Sequence, residues 1–113
     1  MDRSDRVRLQ HMLDAAREAI LFVGDRQQAD LAQNRMMLLS LVKEIEIIGE
    51  AANQISRSEQ SRAPEIPWGQ IVSMRNRLIH AYADVNIELV WKTVSMDLPL
   101  LVTQLEALLA GDP

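Results

Sequence analysis

The sequence has no cysteine, few aromatic residues and little glycine or proline, and each shortage removes a class of protein. Without cysteine there can be no disulfide, no thiolate metal site and no cysteine nucleophile. That suits a reducing compartment. Aromatic residues make up only 4% of the 113 residues, and there are four glycines and four prolines. Alternating β-branched runs are scarce, whereas Leu, Ile, Ala and Met are plentiful, so the expected class is all-helical. No apolar run reaches the ~18 residues expected of a spanning helix. The opening residues, Met1-Asp2-Arg3-Ser4-Asp5-Arg6, are charged and do not read as a signal peptide. The expected location is the cytoplasm, with no membrane contact. A basic surplus is also missing. The net charge is −4 and the pI about 5.1. A general nucleic-acid coat protein would be basic. Any nucleic-acid contact must therefore come from a local cluster or from a site made by two subunits. An acidic surface equally suits a protein partner with a basic face.

What is there is a hydrophobic fraction of 48%, enough for the core of one domain over residues 1–113. A first helix is expected from residue 4 or 5 to 23, capped by Ser4 or Asp5 and ended by Gly24. Leu9, Met12, Leu13, Ala16, Ile20 and Val23 fall on one face of it, and His11 lies off that face. A second helix, the longest, is expected over residues 29–56. Leu31, Leu38, Leu41, Val42, Ile45, Ile48, Ala52 and Ile55 form its main stripe. Met36, Leu39 and Ile47 fall outside that stripe, which suggests deep burial or a partner helix from another subunit. Gly49 sits on the stripe with no cap to make, so another helix should come close there. Residues 57–67 carry Pro64 and Pro67 and read as the one clear loop. Trp68 should anchor the start of a third helix over residues 68–82. A fourth helix, capped by Asp84 or Asn86, carries Val90, Trp91, Val94, Leu98, Leu101, Leu105 and Leu108. Pro99 should kink or restart it, with Asp97 as a local cap, and Gly111 should close it. Four helices with short connections predict an up-and-down four-helix bundle.

The chemistry concentrates in Arg75-Asn76-Arg77-Leu78-Ile79-His80-Ala81-Tyr82, which holds one of two histidines and the only tyrosine. On a wheel, Ile71, Val72, Met74, Leu78 and Ile79 define an apolar arc about 160° wide, and Arg75 and Tyr82 fall inside it. A charge within a buried face is costly unless paired. Glu46 and Glu50, on one flank of the second helix, are the candidate partners. Their other reading is a solvated face. His80 projects about 140° away from Arg75 on a regular helix. The two can converge only if the helix ends near Ile79, or if two subunits bring their copies together across a two-fold axis.

This segment resembles the Arg-x4-His-x-Tyr signature of HepT-like proteins, a branch of the HEPN superfamily of small helical ribonuclease domains. Arg75, His80 and Tyr82 match the three signature positions, and Asn76 supplies the polar residue that usually follows the Arg. Glu46-Ile47-Ile48-Gly49-Glu50-Ala51-Ala52, Ile66-Pro67-Trp68 and Val90-Trp91 resemble the family too, so the likeness spans residues 43–91. It implies a metal-independent endoribonuclease toxin of a bacterial toxin–antitoxin pair, with no cofactor. It also implies a homodimer whose two motifs face a shared cleft. The antitoxin it implies is an MntA-like nucleotidyltransferase that transfers AMP groups to Tyr82 and silences the toxin.

The residue types fit that chemistry. RNA carries its own nucleophile, the 2′-hydroxyl. His80 can serve as general acid or base. Arg75 can hold the non-bridging phosphate oxygens. Asn76 and Arg77 are candidate RNA contacts, and Arg57, Arg62 and Lys92 are candidate additions to the cleft. Tyr82 offers stacking or hydrogen bonding to a nucleotide. Two other readings remain open at this point. One is a non-catalytic helical dimer module that binds a nucleotide or a nucleotidyltransferase. The other is a structural dimer in which Arg75 is a paired core charge.

Overall fold

The computed structural model describes residues 1–81 and 84–111, and residues 79–81 by their backbone only. It is an all-α helical bundle with one small β-ribbon inserted. The first helix, α1, runs Arg3–Val23 and is the longest single helix. Its cap is Asp2, whose Oδ1 accepts from the Ser4 amide at 3.3 Å, and not Ser4 or Asp5. Asp5 is buried instead and accepts from the Ser56 amide at 2.9 Å and the Ser56 hydroxyl at 2.6 Å. Gly24 ends the helix at a positive φ of 54°, a conformation glycine adopts without strain.

The expected second helix is two helices. The chain forms α2, Gln28–Gln33, and then α3, Arg35–Gln54, with the break at Asn34. Asn34 is extended and its side chain accepts from the Met37 amide at 3.0 Å. A short amide side chain competes with the helix for backbone donors and starts a new one. The expected loop over residues 57–67 contains a further short helix, α4, Arg57–Arg62, capped by Ser56. Trp68 starts α5, Trp68–Leu78, and is buried as the expected anchor. Its indole N–H donates to the Ala63 carbonyl at 3.0 Å, which ties the helix start to the end of α4.

The third expected helix stops at Leu78, four residues short of where the periodicity carries it. There the backbone turns extended. β1, Ile79–Ala81, pairs antiparallel with β2, Asp84–Val85, with Ile79 opposite Val85 and Ala81 opposite Asp84. The Asn86 amide donates to the Leu78 carbonyl at 2.7 Å and closes the ribbon on the helix end. Asn86 then caps α6, Ile87–Lys92, by accepting from the Leu89 amide at 3.1 Å. A π-helical turn, Thr93–Asp97, leads into α7, Leu98–Ala110. Pro99 has no amide to donate, and the wider turn before it absorbs that gap without breaking the rod. Asp97 makes no cap bond and lies 3.5 Å from Lys92 Nζ.

The core is one cluster. Leu9, Met12 and Ala16 of α1 meet Leu41, Ile45 and Ile48 of α3, and Leu98, Leu101 and Leu105 of α7 cover them. By length and composition the rod from Ile87 to Ala110 could cross a membrane. Here its apolar stripe packs against the bundle, and Lys92, Asp97 and Glu106 lie along it. Gly49 fulfils its expectation. A Cβ there would stand 3.1 Å from the Ile71 carbonyl oxygen, so α3 and α5 touch backbone to backbone.

Candidate active site

That close crossing sets where the arginine of the motif can reach. Arg75 lies on the flank of α5 that faces α3, and its Nε is 3.2 Å from Glu46 Oε1. The pairing expected with Glu46 is present, but not as a buried charge. The Arg75 side chain is 57% exposed and that of Glu46 is 20% exposed. The wheel misplaced Arg75 because α5 is covered over a narrower arc than its apolar residues span. Trp68, Met74 and Leu78 are buried, whereas Val72 is exposed. A bond through Nε leaves the two terminal nitrogens of the guanidinium for another acceptor. Glu50, the alternative partner, is exposed and lines a separate hollow with Val7 and His11.

Arg75 and Arg77 lie on opposite flanks of α5. Arg77 folds back along its own helix, where its Nη2 donates to the Gln70 carbonyl at 3.2 Å. It lines a cavity of about 190 Å³ with Met74, Lys92 and Leu101. Asn76 is exposed. The structure therefore brings Glu46 to Arg75 and takes Arg77 away from them. Of the other candidate cations, Arg62 is 3.2 Å from Glu59, Lys92 pairs with Asp97, and Arg57 is exposed.

The backbone of His80 lies in β1, two residues beyond the end of α5. The 140° separation applies only to a continuous helix, so it no longer holds His80 away from Arg75. Of the two routes to convergence, the helix-end route is open within one chain. Tyr82 lies outside the described residues. Among the described residues no three carboxylate or imidazole groups cluster as a metal site.

One group that sequence reasoning missed is Glu44. It is 5% exposed, and burial together with a shared hydrogen bond to Glu18 pushes its carboxyl up to about 7. The signal was available. On an ideal wheel Glu44 falls about 40° from Ile48, at the edge of the buried stripe.

The model of one family, ribonuclease HepT-like, matches residues 12–108 of this chain. The relatives agree. "Probable ribonuclease HepT" of Thermococcus cleftensis is 33% identical over 108 residues, covering 96% of this chain and 98% of its own. "Putative RNase MJ1380" of Methanocaldococcus jannaschii is 33% identical over 98 residues, covering 87% and 90%. "Putative RNase TTE0752" of Caldanaerobacter subterraneus is 29% identical over 107 residues, covering 95% and 96%. No solved structure matches significantly. With the family model spanning most of its length and two relatives a third identical across nearly all of it, the chain belongs to the ribonuclease HepT-like family.

Proposed function

We propose that this protein is a metal-independent endoribonuclease toxin of a type VII-like toxin–antitoxin system, acting in the cytoplasm as a homodimer. The observation that carries the reading is the outward guanidinium of Arg75, braced by Glu46 at the end of α5, with His80 in the extended segment just beyond. RNA approaches with a phosphate on the terminal nitrogens of Arg75. A base takes the proton of the 2′-hydroxyl, the oxygen attacks phosphorus, and the bond to the 5′-oxygen breaks as an acid protonates it. His80 fills one of those two roles. Arg75 stabilises the charge that builds on the non-bridging oxygens. Glu46 holds the guanidinium in place, and Asn76 contacts the RNA backbone.

The homodimer reading rests on the surface around this pair. Val72, one turn before Arg75, is an exposed apolar residue on the same helix. A second copy seated there would cover it and bring two Arg75 side chains to one cleft, giving an acidic chain its local positive site. A cognate MntA-like nucleotidyltransferase would silence the toxin by adding AMP to Tyr82, putting a phosphate and a base into that cleft.

The test is expression in bacteria and cleavage of RNA in the presence of EDTA. The wild type should arrest growth and cut RNA, and His80→Ala should lose cleavage by on the order of 10²–10⁴. If wild type and His80→Ala are equally harmless and inactive, the ribonuclease reading fails. AMP added to Tyr82 by the nucleotidyltransferase would then favour a non-catalytic partner-binding module.

A further inference from the structure

The buried carboxyl of Glu44 sits in the seam between α1 and α3, away from the Arg75 flank. Its Oε2 is the buried side-chain oxygen without a hydrogen-bond partner among the described residues. Buried acids ordinarily sit against arginines or backbone donors. Glu44 has a second acid, Glu18 of α1, as its polar neighbour. Lys43 lies on the rim of the same hollow and, among the described residues, forms no ion pair with either carboxylate.

The two acids open into a hollow of about 460 Å³ walled by Phe22, Leu39 and Ile47. Ile47 also walls the next hollow, of about 600 Å³, which reaches Val7 and His11. Together they make a groove along the seam from Phe22 to Val7. At 1.5 Å per residue that is about 22 Å, the length of four helical turns. Leu21 and Met36, 78% and 82% exposed, extend its apolar margin.

We propose that this groove docks an amphipathic helix of a partner protein, which places one lysine or arginine between Glu18 and Glu44. The apolar walls would hold the aliphatic stem of that side chain, and the two carboxylates its charged head. Helix-in-groove binding of this kind uses apolar anchors at three- and four-residue spacing. Charge complementarity selects the occupant. A divalent cation takes six or more oxygens, and these walls offer two carboxylates and one hydroxyl, Ser40, which already donates to the Met36 carbonyl, with the Lys43 ammonium on the same lining. A second copy would carry the same net charge of −4 onto the same acidic pair. The inference does not depend on the ribonuclease reading.

The probe is a fluorescent sixteen-residue Ala/Leu helical peptide with one central arginine, and its counterpart with citrulline, a neutral isostere. Anisotropy is measured on the full chain in 150 mM salt. The arginine peptide should bind at least tenfold more tightly than the citrulline peptide, and Glu44→Gln should close that gap to within twofold. Leu39→Ser should weaken both peptides while keeping the gap. RNA cleavage by Glu44→Gln should equal the wild type, which separates this test from that of the ribonuclease reading. Equal binding of the two peptides, or a gap that survives both Glu44→Gln and the Glu18→Gln/Glu44→Gln pair, overturns the proposal. So does displacement of the arginine peptide by millimolar magnesium, which would mark a metal site. Binding that falls as the protein self-associates would assign the groove to a second copy.

Discussion

Gly49 lets α3 reach the Ile71 carbonyl on α5, and a methyl group at that position would stand 3.1 Å from the oxygen. The neighbour is backbone, so α5 as a whole must give way. Gly49→Ala gains about 1 kcal/mol of helix propensity, and overpacking costs about 1–3 kcal/mol. We expect a net loss of about 1 kcal/mol, seen as a melting temperature lower by about 4 °C. Gly49→Val should lose clearly more. Because α5 carries Arg75 toward Glu46, RNA cleavage should fall further than the melting temperature alone accounts for.

Glu46 braces Arg75 from across that crossing, and the pair is too exposed to matter much for folding. An exposed ion pair contributes about 0–1 kcal/mol. Glu46→Ala should therefore melt within a few degrees of the wild type. If Glu46 positions the guanidinium, kcat on RNA should drop about tenfold, the equivalent of about 1.4 kcal/mol of transition-state stabilisation, with KM changing less. Glu46→Gln keeps an oxygen acceptor for Nε and should recover part of the loss. An unchanged kcat in both variants would remove Glu46 from the site.

The parts of this molecule that periodicity describes were readable, and the parts decided by single side-chain choices were not. The apolar stripes of α1, α3 and α7 are buried much as their spacing implies, and Gly49 marked a helix crossing because it sat on a stripe without a cap to make. Asn34 broke the expected long helix by capping Met37, a competition between side chain and backbone that an apolar pattern does not register. The end of α5 was hidden because Ile79 continues the helical period while its backbone pairs with Val85. Burial of Arg75 was overestimated for a related reason. An apolar arc says which residues could be covered, and only the neighbouring helices decide which are.

Asp5 was another such case, read as a cap and found as a clamp. It joins the start of α1 to Ser56, and Ser56 in turn caps α4 through Glu59. Asp5→Ala leaves the Ser56 amide and hydroxyl without their buried acceptor. Hydrogen bonds to a charged group contribute about 1.5–3 kcal/mol, and we expect a loss in that range by urea unfolding. Asp5→Asn should keep one acceptor and lose about half as much. Hydrogen exchange should rise first at α4, whose cap depends on Ser56.

Glu44 gives the protein a pH dependence with a definite sign. Its carboxyl titrates at about 7 in the folded chain and at its ordinary 4.5 when unfolded, because burial disfavours the charged form and Glu18 shares a hydrogen bond and adds its own charge. Between those values the folded state holds the proton that the unfolded state has released. The Glu44 contribution to stability therefore falls as pH rises from 4.5 to 7 and levels off above 7. At 1.36 kcal/mol per pH unit the contribution is on the order of 3 kcal/mol, and the group is 5% exposed, so little of it is screened. Glu44→Gln cannot ionise. It should unfold at higher urea than the wild type at pH 8, match it near pH 4.5, and flatten the slope between. A Glu44→Gln curve parallel to the wild type from pH 4.5 to 8 would show that the Glu44 carboxyl ionises freely in the folded protein.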